Sequence, residues 1–222
     1  MKFGDAEAIS FHATKTLHAV EGGAVITDND AIADQCRLIR NFGIAGLTQI
    51  DALGTNGKMN ELCAAAGLTG LENIDSVLET NNRNLDSYRS VVNAIPGLQT
   101  AIPHSQHPIN AQYVVVTVNE DEYGLSRDRL IEVLHAERVF ARAYFAPGCQ
   151  NAPPYAGQPV HTPTSLAVTE QLLSSVMQLP TGTAVCAAEI ERIGALLLDI
   201  HQHRDSLNHR STITTERRSD AA

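Results

Sequence analysis

Ser10-Phe11-His12-Ala13-Thr14-Lys15, with Glu21-Gly22-Gly23-Ala24-Val25-Ile26-Thr27 close behind it, is the stretch that decides how this chain of 222 residues is read. Ala6 to Phe11 and Gly23 to Thr27 are short apolar runs with β-branched members, which predicts two buried strands with Lys15 in the tight turn between them, at a strand end. Lys2, Lys15 and Lys58 are the only lysines among sixteen basic residues; the rest are arginine. A position that keeps lysine against such a bias is one where an amine is wanted. An amine can lose its proton when desolvated, attack a carbonyl and form a Schiff base, which a guanidinium does not do.

The run Phe3 to Lys15, with Glu21-Gly22-Gly23 after it, resembles the lysine segment of the DegT/DnrJ/EryC1/StrS sugar aminotransferases. Further motifs follow in that family's order: Asn41-Phe42-Gly43, Gly54 to Glu61, Ala64 to Leu68, Arg142 to Cys149, Pro154-Tyr155 and Leu179 to Gly182. The resemblance covers roughly residues 3 to 200. It implies an α/β fold, the carboxyl-terminal part of a fold-type-I transferase dependent on pyridoxal 5′-phosphate (PLP), with Lys15 as the residue that binds PLP and then moves the proton. Ser10 is implied as a ligand of the PLP phosphate. Asn56, with Lys58 second, sits in a Gly-rich loop able to reach an anion; the resemblance places this loop across the interface of a homodimer, touching the partner's cofactor. His12 could face the sugar or the cofactor, although a strand histidine is otherwise a structural residue; Arg142 and Tyr144 are implied to face the substrate, although Arg142 is otherwise a surface residue. Gln150 stands where many relatives carry histidine. The implied reaction moves an amino group from glutamate to a keto group on a nucleotide-linked deoxysugar, at C4 of dTDP-4-keto-6-deoxyglucose.

Family members carry a long segment before this lysine, whereas fourteen residues precede it here, so the front half is expected to be missing. That half supplies the phosphate-binding helix terminus, the stacking ring and the acid for the pyridinium nitrogen. Asp5 is not that acid, because it matches positions after the acid's own motif. The rival expectation is therefore a catalytically incompetent remnant that keeps the scaffold.

With 43% hydrophobic residues the chain can bury a real core. A net charge of −9, without a basic stripe, argues against nucleic acid as a partner. Cys36, Cys63, Cys149 and Cys186 are widely separated and no secretory leader is evident, so neither disulfides nor zinc are expected and the cytoplasm fits best. His104 with His107, His18 with Glu21, and His201 with His203 lack further ligands in register. No apolar run approaches the about 20 residues that span a bilayer.

Along the chain, Asp28 or Asn29 caps a helix carrying Ile32, Cys36 and Ile39. From Asn60 a stripe of small residues predicts a closely packed helix whose pattern runs on through Ile74 to Val92. Tyr113 to Val118 reads as a strand covered on both faces, Ser126 caps a helix, and Val139 to Tyr144 is a strand again. Leu166 to Leu173 and Ile190 to Ile200 are helical; Pro103 to Asn110 and Pro147 to Pro163 are irregular. The expected organisation is 1–78 for the remainder of the PLP-binding large domain, 79–96 for a connecting helix, 97–203 for a small α/β domain and 204–222 for a disordered tail.

Overall fold

Gly23 lies directly opposite Ser10 in an antiparallel hairpin of β1 (Glu7–Ser10) and β2 (Gly23–Ile26). The computed structural model describes residues 4–102, 109–157 and 165–208, and it divides into two units between Val77 and Leu78. In the first unit the hairpin ladder continues past Ser10, since Phe11 N–H donates to Gly22 O at 2.9 Å and Ala19 N–H to Phe11 O at 2.9 Å. Helix α1 (Asp30–Ile39) starts at Asn29, whose side chain accepts from the amides of Ala31 and Ile32. Helix α2 (Glu61–Glu72) starts at Asn60, which accepts from Cys63 N–H at 2.9 Å. Each cap satisfies amides that the first turn leaves without partners.

The two strands are not buried as expected. Val25 is 52% and Ile26 53% exposed, and among the apolar side chains described in this unit only Ala19 and Cys63 are buried. Two strands cannot enclose a core by themselves, and neither α1 nor α2 covers both faces of the pair.

The apolar pattern from Asn60 to Val92 is broken into two helices. Asn73 ends α2, its side chain donating to Thr69 O at 2.9 Å, and α3 (Ile74–Val92) begins at the next residue. Leu85, Tyr88 and Val92 of α3 lie in the core of the second unit, so residues 79–96 are a core element there and not only a connector.

The second unit continues with β3 (Leu98–Thr100), β4 (Val114–Val118), α4 (Glu120–Tyr123), α5 (Arg127–Ala136), β5 (Arg142–Ala143), α6 (Ala167–Ser175), β6 (Val176–Leu179) and α7 (Ala187–Gln202). The sheet order is β3-β4-β6-β5, with every neighbouring pair antiparallel. Strands β4 and β5 therefore run the same way, joined by α5 as the strand-helix-strand reading requires, but β6 lies between them. The buried arginine Arg127 ties α5 to that strand by donating to Val176 O.

Val114, Val116, Val118, Met177 and Leu179 face the helices, against Leu85, Leu130, Leu134, Ile190 and Leu197. Two phenols end in this core with their hydroxyls satisfied: Tyr88 donates to Pro180 O at 2.7 Å and Tyr123 to Leu197 O at 2.8 Å. Burial pushes both well above the ordinary tyrosine range, with the Glu189 carboxylate adding to the effect at Tyr88.

The first five residues of the expected tail are structured. Residues 204–208 are helical, Leu207 packs on the core, Arg129 donates to Leu207 O at 3.0 Å, and Asn208 donates to Gly124 O at 2.9 Å. The rest of the expected tail, 209–222, lies outside the described residues, as do 103–108 and 158–164 of the two irregular stretches. Among the described residues no helix is long and apolar enough to cross a membrane.

Candidate functional site

Lys15 lies five residues beyond the end of β1, in a turn closed by its own N–H donating to His12 O at 2.9 Å. The residue is half-buried, and its ammonium has no ion-pair partner among the described residues. Helix α2 holds this turn through its small residues: a side chain at Gly67 would meet Ala19 Cβ at 3.2 Å, and one at Gly70 would meet Leu17 Cδ1 at 3.4 Å. The stripe of small residues thus lets a helix backbone press on Leu17 to Ala19, just past Lys15.

Ser10 is exposed at the end of β1, and its Oγ accepts from His12 N–H at 3.3 Å. His12 Nδ1 is 3.0 Å from Thr14 Oγ1, and its Nε2 is 3.7 Å from Glu21 Oε1. Glu21 thus lies near His12 across the mouth of the hairpin loop, with both side chains half-exposed or more.

Asn56 and Lys58 stand elsewhere in the unit. Their loop is tied to the end of α1 by Thr55 N–H donating to Ile39 O at 2.9 Å and Gly57 N–H donating to Arg40 O at 2.9 Å. Lys58 Nζ sits 4.3 Å from the centre of the Phe42 ring. Both residues line a cavity of about 1050 Å³ bounded by the length of β2, by α1 and by the start of α2. Arg37 and Arg40 line it too, giving three cations against the single carboxylate of Glu21. Arg37 also reaches Asp34 at 2.9 Å, while the wall as a whole favours an anion. Lys15 and Ser10 are not among the residues that line this cavity.

Arg142 and Tyr144 belong to the second unit, on and just after the edge strand β5. Arg142 is exposed and Tyr144 half-buried. Two neighbours escaped the sequence reading: Tyr113 and Phe145 pack on Tyr144 at ring-centre distances of 5.6 and 4.4 Å. Arg37 and Arg40 were missed as well. Their helical spacing was visible, but nothing in the sequence says which loop α1 faces. Among the described residues no group of three or more His, Cys, Asp or Glu could hold a metal ion; His104 and His107 lie outside them.

The chain belongs to the DegT/DnrJ/EryC1/StrS aminotransferase family, whose model matches residues 1–198. It is 38% identical over 148 residues to dTDP-4-amino-4,6-dideoxy-D-glucose transaminase of Shigella dysenteriae, covering 66% of this chain and 40% of the relative. It is 30% identical over 179 residues to the enzyme of the same name from Escherichia coli, covering 80% of this chain and 48% of the relative. A solved structure of DesI in the presence of its TDP-sugar product superposes with a TM-score of 0.85 at 43% identity, over 95% of this chain and 53% of that one. The chain thus spans about half the length of the relatives it matches, and its α/β fold is that of the carboxyl-terminal part of such a transferase.

Proposed function

We propose that this chain supplies the lysine-bearing part of a PLP-dependent aminotransferase that moves an amino group from glutamate to C4 of dTDP-4-keto-6-deoxyglucose. The observation that carries this reading is Lys15, a half-buried amine without an ion-pair partner among the described residues, held by the hairpin and α2 in a family of aminotransferases. The names of the Shigella and Escherichia relatives support the nucleotide sugar and the carbon.

The residues present fit PLP. Lys15 offers the amine that holds the cofactor's carbonyl carbon, and Ser10, whose oxygen only accepts a bond from His12 N–H, keeps its own proton to donate to a phosphate oxygen. Because Asn56 and Lys58 line an anion-favouring cavity that Lys15 does not, they are assigned to the cofactor phosphate of a second copy, in a cytoplasmic homodimer with shared sites. PLP, when bound, supplies an electron sink for negative charge on the donor's α-carbon. Lys15, as a free amine, would move the proton between the donor's α-carbon and C4′ of the cofactor. His12, Arg142 and Tyr144 contact the substrate.

A second reading is a chain that keeps the scaffold but turns over nothing, and the exposure of Val25 and Ile26 on the hairpin that carries Lys15 favours it. The experiment joins the amino-terminal part of the Shigella relative to this chain. The chimera should aminate dTDP-4-keto-6-deoxyglucose with glutamate, and Lys15→Ala should lower the rate at least about 100-fold. No glutamate-dependent product from a folded chimera would favour the second reading.

A further inference from the structure

The cavity of about 1050 Å³ in the first unit carries more positive charge than the cofactor phosphate assigned to it accounts for. Its cations come from two places: Arg37 and Arg40 from the last turn and C-cap of α1, and Lys58 from the loop before α2. Three residues apart, the two arginines share one side of the helix end, where the aligned carbonyls favour cations. Glu21 is the one carboxylate on the wall. A cavity of this size suits a small molecule and not a phosphate group alone.

The backbone brings the two sources together. Gly57 N–H donates to Arg40 O at 2.9 Å, and Asn41 pairs with Asn56 in an isolated bridge. A side chain at Gly57 would stand 3.3 Å from Arg40 Cβ, so glycine lets the loop lie close against the stem of the arginine. The cations differ in how far they are committed. Arg37 holds Asp34 at 2.9 Å, and Lys58 Nζ lies 4.3 Å from the centre of the Phe42 ring. The guanidinium of Arg40 is exposed and has no ion pair or hydrogen bond among the described residues.

We infer that Arg40, with Arg37 adding charge, takes the side-chain carboxylate of the amino donor and makes the transferase select a dicarboxylic amino acid over its amide. The inference rests on the glutamate-donor reading above and adds the residue that recognises the donor. Asn56 and Lys58 meet the cofactor phosphate of a second copy, which leaves the fork of Arg40 for a planar carboxylate whose two oxygens it matches. The donor held here is then the one that reacts in the active site of that second copy. An amide in the same place accepts through one oxygen only and turns its own N–H groups toward a cation, so part of the fork stays unpaired. Arg40 lies outside the residues to which the family motifs assign a role, and only the folding of the Gly57 loop onto α1 puts it beside Asn56 and Lys58.

The test is calorimetric titration of the 222-residue chain, without PLP or sugar, with L-glutamate and with L-glutamine, which differ only in the side-chain group. The chain should bind glutamate about tenfold more tightly. Arg40→Gln should remove that preference yet bind inorganic phosphate as the parent does, which also shows that the variant is folded. Arg40→Lys, which keeps the charge but not the fork, should keep part of the preference. Lys58→Gln should weaken inorganic phosphate and leave the preference in place. Equal binding of the two amino acids, binding of neither, a preference that survives Arg40→Gln, phosphate binding lost in Arg40→Gln, or glutamate displaced by dTDP or by inorganic phosphate would each overturn the inference. Because neither PLP nor turnover enters the measurement, a failure of the aminotransferase reading at Lys15 leaves the preference intact, and a failure here leaves Lys15 untouched.

Discussion

Lys15 can act as an amine only if its backbone is held while its side chain stays uncommitted, and the local geometry does both. Its N–H closes a turn on His12 O, Ala19 is buried under Gly67, and no carboxylate pairs with the ammonium among the described residues. That Lys15, Ser10 and His12 are neighbours was legible in the sequence, because they share one short motif between two strands where spacing alone sets their neighbourhood. Arg37, Arg40, Tyr113 and Phe145 were not, because each matters through a neighbour that only tertiary packing brings near. The separation of Asn56 from Lys15 leads to a prediction at this scale. In the full-length chimera, Lys15→Ala and Asn56→Ala should each be inactive alone. Mixed in equal amounts and allowed to exchange subunits, they should recover about a quarter of parental activity, because half the dimers are mixed and each mixed dimer keeps one intact site. Rates that stay at the level of the separate variants would place both residues in the same subunit's site.

Caps and periodicity located α1, α5, α6 and α7, with Asn29 and Ser126 at the N-caps that their side chains suggest, whereas α4 was not foreseen and α2 and α3 read as one pattern. The short strands β3 and β6 were not foreseen either. Each has only three or four residues, and β6 follows α6 without a break, so no turn signal separates an apolar helix from an apolar strand. Missing β6 also hid the fact that β4 and β5 are not adjacent. Helix α7 approaches α3 closely at Gly194. Gly194 is buried, and a side chain there would place its Cβ 2.6 Å from Val91 Cβ. Gly194→Ala gains about 1 kcal/mol of helix propensity but must push two helices apart, at a cost of about 1–3 kcal/mol. The variant should therefore melt at lower temperature by circular dichroism, and adding Val91→Ala should recover part of the loss. A melting temperature raised by Gly194→Ala alone would show that the helices are not in close contact.

The two units differ in how they are held together. The second encloses a continuous core from Leu85 to Ile200, with its buried phenols hydrogen-bonded, whereas the first buries only Ala19 and Cys63 among its described apolar side chains and leaves Val25, Ile26, Ile50 and Leu62 half-exposed or more. The composition, with 43% hydrophobic residues, announced a core without saying that nearly all of it would gather in one unit. Stability should be divided the same way. In hydrogen exchange of the 222-residue chain, the amides of α3, β4, β6 and α7 should be protected at least about 100-fold more than those of β1 and β2; equal protection would show that the hairpin is as firmly held as the core. Because the hairpin that carries Lys15 leaves Val25 and Ile26 half-exposed, the central claim is best tested in the full-length chimera. Incubation with PLP, reduction with borohydride and peptide mapping should recover the pyridoxyl label on Lys15, and Lys15→Ala should abolish it. Label on Lys58 or Lys2 instead, or labelling that survives Lys15→Ala, would contradict the account.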